Sequence, residues 1–186
     1  MSTSANTLKV LAICGSLREE SRNMGMLRYA KANAPVGLQI EIADLREIPF
    51  FIRDDLKSAA VLALLKQFDE AEAFIFACPE YNYSLAPALK NAIDWASRAK
   101  DNALLAGKPG MVFGAGGGMG TSRAQLHLRQ VTSAMNIHML NKPEVFANAF
   151  SESFDADGKL VDTKIQGYIV KQLEAFLALA GKIRQK

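Results

Sequence analysis

Residues 8–23 of the chain read Leu-Lys-Val-Leu-Ala-Ile-Cys-Gly-Ser-Leu-Arg-Glu-Glu-Ser-Arg-Asn. The apolar run ends at Gly15 and gives way to hydroxyls, charges and an amide, a pattern typical of a buried strand that leads through a loop into a helix. Such a junction gathers unpaired backbone N–H groups and the positive end of a helix dipole, which together favour phosphate. Further hydrogen-bond donors are Ser16, Arg18, Ser21 and Asn23. We therefore expect this loop to hold the phosphate of a nucleotide-like cofactor.

The loop differs from two well-known phosphate-binding motifs. It lacks the Gly-Lys-Ser/Thr ending of the P-loop, and Leu17 stands at the second glycine position of the dinucleotide fingerprint. Turns and helix caps also favour Gly, Ser and Asn without any ligand, so ordinary turn chemistry is the alternative interpretation. Similarly, Arg18 is either a phosphate ligand or a solvated surface arginine.

Length and composition indicate an ordinary globular protein. The 186 residues are enough for one domain with a full hydrophobic core, and we expect one domain over residues 1–186 with a flexible segment at 1–7. Hydrophobic residues make up 49% of the chain and charged residues 22%, which excludes a disordered or membrane-embedded class. The net charge is +3, and the Lys and Arg residues are scattered along the chain and interleaved with acidic residues. This distribution argues against a nucleic-acid partner.

The sequence also bears on location and metal binding. We expect a cytoplasmic protein, because residues 1–7 carry no positive charge ahead of an apolar segment and no stretch is long enough for a membrane span. Cys14 and Cys78 are expected to be buried side chains rather than a disulfide or catalytic thiols. With only His127 and His138, no Cys/His set has the spacing of a zinc site, and we expect no metal.

Strands and helices alternate along the whole chain, which predicts a parallel sheet with helices on both faces. Strands are expected at 8–14, 39–43, 73–77, 110–114 and 137–140, and helices at 24–34, around 61–68, at 84–98, from about 122 to 135 and at 163–183. The segment 44–55 is expected to be an irregular apolar loop. With five strands, the expected order is 2-1-3-4-5, in which the first and third strands are neighbours at the switch point.

Three loops that follow strand ends carry unusual residues. We name them loop 1 (15–23), loop 2 (78–84) and loop 3 (115–122). Ligands of open parallel sheets bind outside the carboxyl ends of the strands near the switch point, so these three loops are expected to form one crevice.

The residues of these loops and of the helix that follows loop 2 resemble a known family. Gly15-Ser16-Leu17-Arg18 with Ser21 and Asn23, and the longer run from Pro79-Glu80-Tyr81-Asn82-Tyr83-Ser84 through Asp94-Trp95, are similar to the NADPH-dependent FMN reductase family. Within that family, Arg123-Ala124-Gln125, His127-Leu128-Arg129-Gln130 and Asn141-Lys142-Pro143-Glu144 resemble the quinone and chromate reductase branch. The resemblance covers nearly the full chain.

The resemblance implies a flavodoxin-like α/β sandwich that binds one FMN per subunit. In it, Ser16, Arg18, Ser21 and Asn23 would take the phosphate, while Pro79, Glu80, Tyr81, Asn82 and Tyr83 would contact the ring and the ribityl chain. Tyr83 would also face the substrate, although both tyrosines could equally be packing residues. Gly116, Gly117 and Gly118 would let backbone N–H groups approach the ring, or else form a flexible linker.

The charged residues around these loops leave several alternatives open. Glu80 could orient a donor, oppose negative charge on the reduced flavin, or pair with an arginine of a neighbouring subunit. Arg123 and Glu144 could form structural ion pairs, and His127 could serve in packing or at an interface. No nucleophile–base pair emerges, so we assign no catalytic side chain and expect the chemistry to belong to the cofactor.

The resemblance implies an FMN-dependent oxidoreductase. NADPH or NADH would pass a hydride to flavin N5, and the flavin would then reduce quinones by two electrons, with chromate, azo compounds or free flavin as further acceptors. The family forms homodimers or homotetramers, which would bring the helix with Trp95 and the loop around Tyr81 to the interface. The alternatives are a flavodoxin-type electron carrier and a nucleotide-binding regulator without flavin.

Overall fold

A computed structural model of the chain describes residues 7–53 and 58–184. Residues 1–6 of the segment predicted to be flexible, and the last two residues of the predicted loop 44–55, lie outside the described residues. Within the described ranges, no helix is both long enough and apolar enough to cross a membrane.

The centre of the fold is a parallel sheet whose strand order matches the prediction. Its strands are β1 (Leu8–Cys14), β2 (Leu38–Ile42), β3 (Ala73–Ala77), β6 (Pro109–Gly116), β7 (His138–Met139) and β8 (Val145–Asn148). The remaining pair, β4 (Glu80–Tyr81) and β5 (Ser84–Leu85), forms a separate antiparallel hairpin. The sheet runs β2-β1-β3-β6-β7, the order of flavodoxin-like sheets, and all its pairings are parallel.

Two short strands share the edge position that was predicted for one. β7 pairs with Pro109 and Gly110 at the start of β6, and β8 pairs with residues 113–116 at its end. β8 alternates buried and exposed residues, as a strand with one covered face does. The sequence after residue 140 predicted a loop rich in turn residues, so this strand was not predicted.

Helices cover both faces of the sheet. They are α1 (Arg22–Ala32), α2 (Ala59–Glu70), α3 (Pro87–Arg98), α4 (Ser122–Ala134) and α5 (Thr163–Arg184), with a 3₁₀ segment over Ala99–Asn102. Their caps explain their starts, since Ser21 and Ser58 accept hydrogen bonds from the backbone of Met24 and Val61. Pro87 occupies the first turn of α3, where its missing N–H costs nothing.

Two apolar clusters lie on the two faces of the sheet. Alternate residues of β1 divide between them, with Val10 and Ala12 facing α1 and α5, and Leu11 and Ile13 facing α2, α3 and α4. Because β1, β3 and β6 are covered on both sides, they are almost continuously apolar. Trp95 is buried in the second cluster, where its Nε1 donates to the carbonyl of Pro49 at 3.0 Å. Its side chain is therefore not available at a subunit interface.

The segment that the sequence assigned to the start of α3 is different in the structure. Ser84 and Leu85 form β5 instead of a first helical turn, and the helix begins at Pro87. A proline disfavours helical backbone at the residue before it, so Ala86 is extended and acts as the N-cap.

Asn23 connects the first turn of α1 to the end of β6. Its amide nitrogen donates to the carbonyl of Ala115, and its amide oxygen accepts from the N–H of Ala115, both at 2.9 Å. Asn23 is only 5% exposed, so neither backbone group of Ala115 depends on water. The connection passes over the end of β3, which lies between β1 and β6.

We expect Asn23→Ala to lower the free energy of unfolding by about 2 kcal/mol or more, because it leaves two buried backbone groups unpaired. Urea unfolding of the purified protein measures this change. The matched control is Asn33→Ala, which removes an exposed amide that donates to the Tyr29 carbonyl. A loss no larger than that of the control would contradict the structural role of Asn23.

Candidate functional site

The three loops are held against one another at the carboxyl edge of the sheet. A Cβ at Gly15 would lie 2.9 Å from both Pro79 Cδ and Ala86 Cβ, so glycine is needed where loop 1 contacts loop 2. Asn23 joins loop 1 to Ala115 in loop 3 through the two hydrogen bonds described above. The loops therefore form one surface, as expected from their positions after β1, β3 and β6.

Loop 1 presents backbone donors that have no acceptor in the protein. Among the described residues, the N–H groups of residues 17–20 donate no hydrogen bond, and those of residues 22 and 23 in the first turn of α1 donate none either. These donors lie at the positive end of the α1 dipole. Such an arrangement binds an anion without further side chains.

The side chains of loop 1 divide into two groups. Ser16 and Arg18 make no hydrogen bond or ion pair with another described residue, so both are available to a ligand. Ser21 is 4% exposed and caps α1, and its hydroxyl lies 4.0 Å from Cys14 Sγ. Ser21 and Asn23 thus hold the loop in place through these contacts, and their role as direct phosphate ligands stays a prediction.

Loop 2 is a tight hairpin. β4 and β5 are joined by Asn82 and Tyr83, both in the left-handed region with φ of 49° and 67°. Two consecutive left-handed residues define a type I′ turn, which is strained for a tyrosine. The Asn82 amide makes no hydrogen bond with another described residue, and Tyr81 and Tyr83 are exposed.

The Glu80 carboxylate connects this hairpin to the start of α4. One oxygen accepts from Arg123 Nε at 2.6 Å, and the other accepts from the backbone N–H groups of Arg123 and Ala124 at 3.2 Å. The Glu80 side chain is 5% exposed. Since Thr121 provides no side-chain cap for α4, Glu80 supplies the missing acceptors. Of the roles considered above, the structure shows an ion pair, made within the chain.

Arg123 and His127 support the other side of the hairpin. The guanidinium carbon of Arg123 lies 3.7 Å from the centre of the Tyr83 ring, close enough for a cation–π contact. Ser84 Oγ lies 3.1 Å from His127 Nδ1. Of the alternatives considered for these two residues, the structure shows ion pairs for both: Arg123 pairs with Glu80, and Glu144 pairs with Lys142 at the surface.

The glycines of loop 3 have different surroundings. A Cβ at Gly116 would lie 2.2 Å from the carbonyl oxygen of Gly120, so glycine is required by the fold there. A Cβ at Gly117 or Gly118 would meet nothing within 4 Å in the described chain. The N–H groups of Gly118 and Met119, at the tip of the turn, have no acceptor among the described residues. Loop 3 therefore has open space and free donors on its outer side.

A crevice of about 410 Å³ lies between loop 1 and the start of α3. Its lining consists of Gly15, Leu17, Arg18, Tyr81, Pro87 and Ala88. Arg18 is its only charged lining residue among those described, so the crevice combines an apolar wall with one cation. This combination suits a phosphorylated aromatic ligand, whose ring can pack on the apolar wall while the cation contacts the phosphate.

The cysteines near the site are not nucleophiles. Both are free and buried at the ends of β1 and β3. Burial raises the pKa of Cys78 to about 12, and it also raises the pKa of Cys14. Both thiols are therefore protonated at neutral pH, and no group of three His, Cys, Asp or Glu among the described residues could hold a metal ion.

The structure brings all the predicted site residues to one edge but gives them unequal roles. Arg18, Tyr81, Asn82, Tyr83, Gly117 and Gly118 are exposed, and Ser16, although only 7% exposed, lines a cavity beside loop 1. In contrast, Ser21, Asn23, Pro79, Glu80 and Gly116 hold the loops together. The sequence suggested an ion pair for Arg123 but did not predict its stacking on Tyr83. Its position at the start of a helix after a glycine-rich loop is the signal that could have indicated a nearby carboxylate.

Comparisons with known proteins agree with this geometry. The sequence model of the family described as NADPH-dependent FMN reductase matches residues 8–152. An NAD(P)H-dependent FMN reductase of Pseudomonas aeruginosa is 43% identical over 184 residues, covering 97% of this chain and 99% of the relative. An NAD(P)H:quinone oxidoreductase of Solanum tuberosum is 42% identical over 189 residues, with 96% of each chain covered.

The structure of a flavoenzyme NAD(P)H:(acceptor) oxidoreductase from Paracoccus denitrificans is also similar. It superposes with a TM-score of 0.84 at 28% identity, covering 95% of this chain and 98% of that one. The predicted family resemblance and the predicted fold are thereby confirmed.

We expect Arg18→Ala to weaken FMN binding about tenfold or more while leaving the fold intact, because a charge-assisted hydrogen bond contributes roughly 1.5–3 kcal/mol. Fluorescence titration of the FMN-free protein measures the affinity. The control is Arg98→Ala, an exposed arginine at the far end of α3. Equal FMN affinity in the two variants would remove Arg18 from the phosphate site.

For Glu80→Ala we expect the free energy of unfolding to fall by about 1–3 kcal/mol, since two helix N–H groups and a guanidinium lose their acceptor. Glu144→Ala, which breaks only the surface pair with Lys142, should cost less than about 1 kcal/mol. Urea unfolding of both FMN-saturated variants makes the comparison. Similar losses would show that Glu80 forms an ordinary surface pair.

Proposed function

The chain belongs to the NADPH-dependent FMN reductase family, and from this we propose that it is an FMN-dependent NAD(P)H:quinone oxidoreductase. One observation carries the proposal: among the described residues, the N–H groups of residues 17–20 and the neighbouring Arg18 side chain have no partner. These groups have the charge and the hydrogen-bonding capacity that the FMN phosphate needs.

The residues present fit FMN. The phosphate would be held by loop 1 through Ser16, Arg18 and the free N–H groups, and the ribityl chain would continue toward loop 2. The ring would lie against loops 2 and 3, where Gly117 and Gly118 leave room that no described residue fills. Ser21, Asn23, Pro79, Glu80 and Gly116 would act indirectly, by fixing the shape of this cradle.

FMN, when bound, supplies the two-electron redox chemistry that links a reduced nicotinamide to an acceptor. The N–H groups of Gly118 and Met119 are available to stabilise negative charge on a ring placed beside loop 3. Glu80 keeps its own charge away from such a ring, because both of its oxygens are engaged by α4 and Arg123. The chain therefore binds and orients its ligands and need not supply an acid or a base.

Quinones are the acceptors that we propose first, because relatives at 40–43% identity carry quinone oxidoreductase or FMN reductase names. The exposed Tyr83 ring, held by Arg123, would face a planar acceptor. A site open to solvent would also admit chromate, azo compounds or free flavin.

We further propose a cytoplasmic homodimer or homotetramer in which residues 1–186 form one domain. The free thiols of Cys14 and Cys78 support a reducing compartment. Both apolar clusters pack on the same sheet, which supports a single domain. The exposed hairpin around Tyr81 remains the proposed contact with a second copy.

Mixing FMN-loaded protein anaerobically with NADPH, and separately with NADH, tests the function. We expect the yellow absorbance to bleach with at least one nicotinamide and to return when benzoquinone is added. Free FMN in the same buffer is the control for reduction without the protein.

Two other results would overturn the proposal in different ways. Yellow protein that neither nicotinamide bleaches would indicate an electron carrier of the flavodoxin type. A colourless protein that takes up no added FMN would indicate a nucleotide-binding regulator without flavin.

A further inference from the structure

A short hairpin ahead of α5 contacts loop 1 and the start of α1. We call it the Gly158 hairpin (residues 153–161). Phe154 and Leu160 pair across it in antiparallel fashion, and the turn between them reads Asp-Ala-Asp-Gly-Lys. The proposed FMN cradle consists of loops 1, 2 and 3, so none of these residues has a role in it yet.

The Gly158 hairpin packs against α1 backbone to backbone. A Cβ at Gly25 would lie 2.0 Å from the carbonyl oxygen of Gly158, a separation that real Cβ atoms do not show. Glycine inside a helix lowers its stability relative to alanine, so Gly25 needs a local reason. The close approach of the hairpin backbone supplies that reason.

Gly158 also contacts the end of loop 1. Its φ is 76°, in the left-handed region that favours glycine. A Cβ at Gly158 would lie 2.6 Å from the carbonyl oxygen of Glu20 and 3.2 Å from the carbonyl carbon of Ser21. Gly158 therefore borders the stretch, residues 17–20, whose N–H groups have no acceptor among the described residues.

Asp155 closes the turn of the hairpin. Its Oδ1 accepts from the N–H groups of Lys159 at 2.8 Å and Asp157 at 3.1 Å. Its backbone carbonyl accepts from the Gly158 N–H at 3.1 Å, and its own N–H donates to the Lys159 carbonyl at 3.0 Å. These hydrogen bonds fix the position of Gly158 within the hairpin.

The base of the hairpin is anchored in the core. Phe154 and Leu160 are buried in the apolar cluster on the α1 and α5 face of the sheet. Ser153 Oγ donates to Asp162 at 2.8 Å, and Asp162 accepts from two N–H groups at the start of α5. Loop 1 therefore rests on a fixed support at Gly158.

We propose that the Gly158 hairpin positions loop 1 for the FMN phosphate, with Gly158 and Gly25 as the positioning residues. Asn23 holds the first turn of α1 to β6, and the hairpin holds Glu20 just ahead of that turn. The N–H groups of residues 17–20 thus keep one arrangement before the ligand arrives. Donors that are already ordered bind an anion more tightly than donors that must be ordered on binding. This inference rests on the proposed function, because it requires the FMN phosphate at loop 1.

FMN and riboflavin, which differ only in the phosphate, test the inference when each is titrated by fluorescence into the FMN-free protein. We expect Gly158→Ala to weaken FMN binding about tenfold, because a displaced loop 1 loses charge-assisted hydrogen bonds to the phosphate. Riboflavin binding should not change. A hairpin that only stabilised the fold would affect both flavins equally or neither.

The matched control is Gly107→Ala. The φ of Gly107 is 77°, so alanine meets the same backbone strain there as at residue 158. A Cβ at Gly107 would meet nothing within 4 Å in the described parts of the chain. This variant should retain the wild-type affinities for both flavins.

Asp155→Ala decides the matter if Gly158→Ala does not fold. It opens the turn without adding an atom against loop 1, and it should also weaken FMN binding and spare riboflavin. Removing a negative charge by itself favours a dianionic ligand, so weaker binding cannot come from charge alone. Its control is Asp157→Ala, which removes the same charge from a side chain with no partner among the described residues and should not weaken FMN binding.

The outcomes separate this inference from the proposed function. If the wild-type protein prefers FMN to riboflavin and the folded variants keep that preference, the inference is wrong and the function stands. The inference is also wrong if each variant loses no more of the preference than its control. If the wild-type protein binds FMN no more tightly than riboflavin, loop 1 does not hold the phosphate, and the proposed FMN site itself is wrong.

Discussion

The pairing of the Asn23 side chain with both backbone groups of Ala115 is the interaction on which the edge of this sheet depends. Parallel strands bring loops to the same edge, but they do not by themselves hold those loops at a fixed distance. The buried Asn23 amide fixes that distance, because its donor and its acceptor both pair with Ala115. Any shift of α1 against β6 would leave these buried polar groups unpaired. Loops 1 and 3 therefore keep one relative position across β3.

The titratable residues near the crevice are likewise buried or paired within the protein, which explains why they are not catalytic groups. Glu80 has the burial and the position of an acid–base residue, yet all its hydrogen bonds go to the start of α4 and to Arg123. Cys14 and Cys78 are held protonated by burial. Among the described residues of the three loops, the groups that have no partner in the protein include the backbone donors of loops 1 and 3, the Asn82 amide and Arg18, and Tyr81 and Tyr83 are exposed beside them. Such a site binds and orients its ligands, and it leaves electron transfer to the cofactor.

Much of the fold could be predicted from the sequence, because the apolar runs of the strands and the alternation of strands with helices can be read from residues that are close together in the chain. Apolar runs that end at Gly15, Pro79 and Gly114 indicated three buried strands and the loops that follow them, and the alternation of elements predicted the sheet order. The roles of Asn23 and Glu80 could not be predicted in the same way, since their partners lie 92 and 43 residues further along the chain. The hairpin of loop 2 was missed for another reason: Asn82-Tyr83 lacks the glycine that usually marks a type I′ turn.

The division of the outer sheet edge between β7 and β8 also bears on how copies of the chain can associate. β7 covers only the first two residues of β6 and β8 only the last four, and each belongs to a segment too short to offer a long row of free peptide groups. An added strand would therefore have no continuous row of free backbone groups to pair with along this edge of the sheet. Aggregation by strand addition is therefore disfavoured at this edge of the sheet.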